Sequence, residues 1–115
     1  MKAEYKERTE AEHVLVVEDD PVWMRIHKSI LEERCIKVTA VSDVKEALEL
    51  LEQGGFNRVI TDGLEGTWLV IAAKTKQLGI PMKLISGDVR HESQAKEIGV
   101  EFIDKSKVPK LIDQL

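Results

Sequence analysis

The segment HVLVVEDDP, residues 13–21, joins an apolar run directly to three carboxylates. Its first five residues, His13 to Val17, are rich in valine, which is typical of a strand buried on both faces of a parallel sheet. Asp20 and Pro21 then predict the N-cap and the first residue of a helix. The segment is therefore predicted to begin a β-α unit that carries acidic residues at the carboxyl end of its strand.

The same alternation of strand and helix continues along the chain. Apolar residues at helical spacing predict that the first helix extends to about residue 33. Asp43 and Glu46 have the spacing of a capping box, which predicts the start of the second helix. Later strands are predicted at residues 37–41, 58–61, 82–85 and 101–103, and later helices at 43–54, 67–78, 91–98 and 108–115. Five such units predict a doubly wound α/β fold, with a five-stranded parallel sheet whose functional crevice lies at the carboxyl ends of the strands.

The length and composition of the chain suit one cytoplasmic domain. Its 115 residues are 43% apolar, which is enough for a single core, and no apolar run approaches the roughly 20 residues that cross a bilayer. We assign residues 13–115 to the domain, and residues 1–12, which are charged and lack an apolar period, to a flexible or loosely helical arm. Cys35 is the sole cysteine, so we expect a small buried side chain rather than a disulfide or a metal ligand.

The charge pattern argues against direct binding to nucleic acid or to a membrane. The net charge of −4 comes from well-mixed acidic and basic residues, and only one Tyr and two Phe are available to stack on bases. The one uneven feature is the acidic triplet at residues 18–20, whose carboxylates are candidates for a functional site.

Polar residues interrupt the apolar pattern at the carboxyl ends of four predicted strands. They are Glu18 and Asp19 after the first strand, Asp62 after the third, Ser86 after the fourth and Lys105 after the fifth. Carboxylates gathered at one edge repel each other unless a cation neutralises them, and hard oxygen ligands in a partly hydrated site favour Mg²⁺. Lys105 adds a second positive charge, and the Ser86 hydroxyl can donate to a phosphoryl oxygen.

Four segments that contain these residues together resemble the receiver domains of bacterial two-component response regulators. The segments are VLVVEDD at 14–20, VITD at 59–62, LISG at 84–87 and IDK at 103–105. Each motif alone is weak, but the complete set in order, with every member at a strand end, is specific. The resemblance covers about residues 14–115 and implies a flavodoxin-like sheet with the strand order 2-1-3-4-5.

The resemblance also implies a role for each residue of the acidic site. Asp62 would be the phosphoacceptor, and it would attack a phosphohistidine or a small phosphodonor. Asp19 and Asp62 would bind Mg²⁺ directly, and Glu18 would act on the metal through water. The main-chain carbonyl of Leu64 would complete the protein ligands, and Lys105 would pair with the phosphoryl oxygens.

A switch and a set of partners follow from the same resemblance. Ser86 would move to the phosphoryl group and Phe102 would turn inward, as in the switch of the family. The donor would be a histidine kinase or a phosphotransfer protein, the output would be a downstream protein target, and homodimer formation is left open. The chain would not be an enzyme, apart from self-phosphorylation from small donors and autodephosphorylation.

The chain departs from the family pattern in three places. The loop after Asp62 is short and lacks proline, so Leu64 is a ligand by position only. Ser106 follows Lys105 where the family has a proline, usually cis, so we expect this lysine to be less firmly held. The fourth and fifth helices are predicted to be short, so we expect a weaker response at the usual output face.

Simpler interpretations of single residues stay open. Asp20 is more typical of a helix cap than of a metal ligand, and Phe102 is equally consistent with plain core. Both tryptophans are expected to pack at helix starts. No chemical role is assigned to His13, His27 or His91, which lack ligand spacing.

Two alternatives apply to the whole chain. One is a protein-interaction module that keeps the receiver fold without using phosphate, and the complete set of strand-end residues argues against it. The other is a small Mg²⁺-dependent phosphohydrolase with an aspartate nucleophile. Such an enzyme usually needs a second aspartate two residues beyond the nucleophile, where this chain has Leu64.

Overall fold

A five-stranded parallel sheet organises residues 12–108, the part of the chain that the computed structural model describes. The strands are β1 (His13–Val17), β2 (Lys37–Val41), β3 (Arg58–Thr61), β4 (Met82–Ser86) and β5 (Glu101–Asp104). Their order across the sheet is β2-β1-β3-β4-β5, which confirms the predicted fold class and topology. The predicted N-terminal arm as far as residue 11, and the final helical stripe beyond residue 108, lie outside the described residues.

Four α-helices alternate with these strands. They are α1 (Pro21–Glu33), α2 (Val44–Gln53), α3 (Trp68–Leu78) and α4 (Arg90–Ile98), and short 3₁₀ turns at Leu64–Gly66 and Lys105–Lys107 follow β3 and β5. The predicted starts of α1 and α2 are confirmed because their signals are local: Asp20 and Asp43 each accept a main-chain N–H at 2.8 Å from the first turn. Within residues 12–108, none of the helices has the length and apolar character needed to cross a membrane.

Alternate residues of β1 enter two separate apolar layers. Val14 and Val16 pack in the layer that contains Leu31 of α1, and Leu15 and Val17 pack in the layer formed with α2, α3 and α4. All four of these β1 side chains are fully buried. This confirms the prediction that β1 is covered on both faces, and it explains why the strand is an almost unbroken apolar run.

The carboxyl ends of the strands bring the predicted site residues to one edge of the sheet. The Glu18 N–H donates to β2 at 3.0 Å, and the Asp62 N–H donates to β1 at 2.8 Å. These bonds extend the strand pairing beyond the ends of β1 and β3, so the two acidic residues have fixed main-chain positions. Ser86 is the last residue of β4 and pairs with the residue just before Lys105.

Cys35 is exposed, which corrects the prediction that it is buried. It lies between α1 and β2 with a φ of 60°, in the left-handed region. Its N–H donates to the Glu32 carbonyl at 3.0 Å, and the Ile36 N–H donates to the Leu31 carbonyl at 3.1 Å. This is a helix C-terminal motif whose left-handed residue is usually glycine. The direction in which the chain leaves α1 therefore places Cys35 at the surface, although cysteine side chains are usually buried.

Replacing Cys35 tests this account of the turn. Cys35→Gly should raise the free energy of unfolding by up to about 1 kcal/mol relative to Cys35→Ala, since glycine adopts a positive φ without a Cβ clash and alanine does not. Urea denaturation of the two variants under reducing conditions measures the difference. Equal stability of the glycine and alanine variants would contradict a conformational cost at this position.

Candidate functional site

Lys105 joins two carboxylates at the carboxyl edge of the sheet. Its Nζ donates to Glu18 Oε1 at 2.7 Å and to Asp62 Oδ1 at 2.9 Å. Trp23, in the first turn of α1, places its indole ring 5.0 Å from the same Nζ, within the range of a cation–π interaction. These contacts engage the side chain of Lys105 in a loop that lacks the family's proline, and the expectation that it is less firmly held stays a prediction.

The acidic residues form a group that could bind a metal ion. Glu18, Asp19 and Asp62 each offer one carboxylate oxygen, and these oxygens lie within 4.8 Å of one another. Glu18 is fully buried, and its Oε2 has no hydrogen-bond partner among the described residues. A buried oxygen without a partner is costly, and a cation or its bound water would satisfy it. Carboxylate ligands with one member exposed to solvent suit a hydrated divalent cation such as Mg²⁺.

Burial changes the proton affinity of the site. It raises the pKa of Glu18 from 4.5 to about 7, although the hydrogen bond from Lys105 acts in the opposite direction. Burial alone would lower the pKa of Lys105, but the hydrogen bonds to Glu18 and Asp62 raise it overall. Without a metal ion, Glu18 therefore titrates near neutral pH while Lys105 keeps its charge.

His27 lies buried on α1, beside Trp23. Their ring centroids are 5.7 Å apart, and neither imidazole nitrogen has a hydrogen-bond partner within residues 12–108. Burial, together with the charge of Lys105, lowers the pKa of His27 to about 4. His27 is therefore a neutral side chain behind the acidic site at physiological pH.

Ser86 is buried at the end of β4, and its hydroxyl is engaged on the side of α4. Its Oγ lies 2.8 Å from His91 Nδ1 and accepts the Asp88 N–H at 3.0 Å. His91, to which the sequence analysis assigns no chemical role, therefore contacts a predicted site residue directly. A histidine five positions after a strand-end serine is not a specific signal, so the sequence offers no reliable way to find this contact.

In the short loop after β3, the main-chain carbonyl of Leu64, a predicted metal ligand, is already occupied by hydrogen bonds. Its carbonyl accepts hydrogen bonds from the Thr67 N–H at 3.1 Å and from Thr67 Oγ1 at 2.7 Å. A carbonyl oxygen has two lone pairs, so a metal ion would have to displace one of these donors.

Phe102 of β5 is half-buried and packs against the layer formed with α2, α3 and α4. The ligand role of Leu64 and the switch role of Phe102 both stay predictions.

The chain belongs to the response regulator receiver domain family, whose model matches residues 14–113. Over 51 residues it is also 41% identical to the two-component response regulator ARR11 of Arabidopsis thaliana. That match covers 43% of this chain and 10% of ARR11, so the matched segment corresponds to about a tenth of the length of this relative. The family assignment confirms the resemblance that the strand-end motifs predicted.

Solved structures agree with the fold. The receiver domain of Francisella response regulator 1452 superposes with a TM-score of 0.74 at 23% identity, covering 90% of this chain and 92% of that one. The Thermotoga maritima response regulator TrrA, solved in complex with Mg²⁺ and BeF, superposes with a TM-score of 0.73 at 20% identity, covering 90% of this chain and 95% of that one. At this level of identity the two likenesses establish the fold.

Glu18 and His27 give the metal-free protein opposing dependences of stability on pH. The pKa of Glu18 is about 7 in the folded state against an ordinary 4.5, so its contribution to the free energy of unfolding falls as the pH rises between these values. The pKa of His27 is about 4 against an ordinary 6.5, so its contribution rises with pH between these values. We expect the two slopes to oppose each other, leaving the stability of the wild type nearly flat where the intervals overlap.

Glu18→Gln and His27→Leu separate the two contributions. In the presence of a chelator, Glu18→Gln should gain stability as the pH rises through the shared interval, and His27→Leu should lose it, each by about 3 kcal/mol at most. Urea denaturation at a series of pH values measures both slopes. Profiles for the two variants that run parallel to the wild type would show that neither pKa is shifted.

Proposed function

We propose that Asp62 is the phosphoacceptor of this receiver domain and that Mg²⁺ assists the transfer. The observation that carries the proposal is the contact of Lys105 Nζ with Asp62 Oδ1, at 2.9 Å, beside a buried Glu18 that lacks one partner. Asp19 and Asp62 would bind the metal directly, and Glu18 would act through water. Bound Mg²⁺ would supply positive charge to the phosphoryl oxygens.

In this proposal the residues of the chain act mainly by positioning. An oxygen of Asp62 attacks the phosphorus of a phosphohistidine, and an O–P bond forms as the P–N bond breaks and its electron pair stays on the imidazole. With acetyl phosphate, the bond that breaks is P–O, and acetate leaves with the electron pair. Lys105 already contacts the Asp62 carboxylate, so a small movement would pair it with a phosphoryl oxygen.

The later steps involve residues around the phosphoacceptor. Ser86 would donate its hydroxyl to another phosphoryl oxygen, and Phe102 would turn inward as the switch aromatic. The Leu64 carbonyl would join the metal ligands only after one of its two hydrogen bonds from Thr67 opens. The chemistry is limited to accepting and slowly losing the phosphoryl group, so we propose a signalling domain rather than an enzyme.

The family assignment supports the choice of partners. We propose a histidine kinase or a phosphotransfer protein as donor, and a downstream protein as target, in the cytoplasm and without direct contact to nucleic acid. The complex of TrrA with Mg²⁺ and BeF supports Mg²⁺ as the metal, because it places both components in one structure of the same fold. We also propose a second copy of this chain as a partner, in a homodimer.

Intact-mass analysis tests the phosphoacceptor. After incubation with Mg²⁺ and acetyl phosphate, the wild type should gain one phosphoryl group, which is lost in base and retained in acid, whereas Asp62→Asn should gain none. The amide keeps the shape of the side chain but removes the nucleophilic charge. Labelling of Asp62→Asn at the rate of the wild type would overturn the assignment, and no labelling of the wild type would favour an interaction module that does not use phosphate.

A matched pair of substitutions tests the metal ligands. Asp19→Asn should weaken Mg²⁺ binding by at least about tenfold, since a charged ligand is replaced by a neutral one. Asp20→Asn should leave the affinity nearly unchanged, because Asp20 caps α1 through a 2.8 Å bond to the Val22 N–H and asparagine caps equally well. Calorimetric titration with Mg²⁺ measures both affinities. A larger loss in Asp20→Asn would mean that the two adjacent residues have the opposite roles.

A further inference from the structure

The Ser86 hydroxyl takes part in a compact hydrogen-bonded group at the start of α4. Its Oγ accepts the Asp88 N–H at 3.0 Å and lies 2.8 Å from Nδ1 of His91, the second residue of α4. The His91 side chain is buried, and its ring meets that of Trp68 edge-on with centroids 6.1 Å apart. The imidazole is therefore held between α3 and β4 and has little freedom to turn away from Ser86.

The charges around His91 favour donation of the Ser86 proton to His91. His91 Nε2 lies 3.9 Å from Asp88 Oδ2, which is too far for a hydrogen bond, and Arg90 Nη2 pairs with the same oxygen at 2.7 Å. The negative charge of this carboxylate favours the tautomer with the proton on Nε2 through electrostatic attraction. His91 Nδ1 is then an acceptor, and Ser86, which already accepts from the Asp88 N–H, is the donor to it. A serine hydroxyl has one proton. It cannot be donated to His91 and to a phosphoryl oxygen at the same time.

Gly63 shows that the backbone beside the phosphoacceptor makes room for this ring. A Cβ at residue 63 would lie 2.5 Å from both Cε1 and Nδ1 of His91, which is far too close. The φ of Gly63 is −66°, which any residue can adopt, so its conformation does not require glycine. All seven glycines of the chain lie within residues 12–108, and the other six have no atom within 4 Å of an added Cβ. The absence of a side chain at residue 63 is what allows the contact between His91 and Ser86.

We propose that His91 is a positioning residue that holds the Ser86 hydroxyl in the unphosphorylated state and opposes its donation to the phosphoryl group. This rests on the proposed function, in which Ser86 donates to a phosphoryl oxygen on Asp62. Each phosphorylation event must then break the bond between Ser86 and His91 before the new bond forms. His91 thereby lowers the affinity of the site for a phosphoryl group, and it links that step to the first turn of α4.

Binding of beryllofluoride, a phosphoryl mimic, in the presence of Mg²⁺ tests the proposal. His91→Phe keeps a ring in place but removes the acceptor, so it should bind beryllofluoride about fivefold more tightly than the wild type, the effect expected of one hydrogen bond. His91→Asn, whose amide can replace Nδ1 as an acceptor, should stay within about twofold of the wild type. Calorimetry measures the affinities, and thermal unfolding shows that each variant is folded. His91→Leu, which also lacks the acceptor, replaces the phenylalanine variant if the latter does not fold.

A second background separates positioning from a general change in structure. In Ser86→Ala, which has no hydroxyl to hold, His91→Phe should leave the affinity for beryllofluoride unchanged. The same fivefold gain with and without the Ser86 hydroxyl would overturn the proposal, and so would wild-type affinity in His91→Phe. If the wild type and every variant fail to bind beryllofluoride, the proposed phosphoacceptor function is wrong. Binding by the wild type, with no effect of His91→Phe, would reject only the role of His91.

Discussion

The site depends on a buried carboxylate that one lysine neutralises only in part. Glu18 is fully buried, Lys105 donates to one of its oxygens at 2.7 Å, and the other oxygen has no partner among the described residues. A buried charge costs several kcal/mol unless it is paired. The ion pair with Glu18 therefore keeps Lys105 in this position. A divalent cation would compete with Lys105 for the negative charge of the same carboxylates. Its binding would therefore free the lysine to meet a group carried by Asp62.

Most of the fold could be predicted because its signals are local. The apolar run of β1 and the capping carboxylates of Asp20 and Asp43 each act within a few residues, so the pattern alone determines where those elements begin. Cys35 could not be placed in this way. The usual burial of cysteine is an average over many folds, whereas the exposure of Cys35 follows from a left-handed residue at the end of α1.

The acidic site could be predicted because all strands of a parallel sheet end at the same edge, which carries strand-end residues together whatever the details of packing. The contacts of Trp23 with Lys105 and of His91 with Ser86 join residues from different elements, and no spacing rule describes such pairs. The direction of the Leu64 carbonyl is set by a short loop in which φ is 48° at Leu64 and also positive at the next residue. Such conformations cost roughly 1–2 kcal/mol per residue, so propensity alone does not predict them.

Two separate hydrogen-bonded groups flank the proposed phosphoacceptor, and they limit what a switch at this site can do. Lys105 is held by carboxylates on one side, and Ser86 is held by His91 on the other. A phosphoryl group would offer oxygens to both donors and so connect two groups that share no hydrogen bond within residues 12–108. The free energy available for switching is only the difference between old and new partners. A net gain of about 1 kcal/mol at each of the two donors, Lys105 and Ser86, would shift the population by roughly 30-fold. His91 lies in the first turn of α4, a helix of nine residues, so the start of this helix is the part of the structure that would respond to the shift.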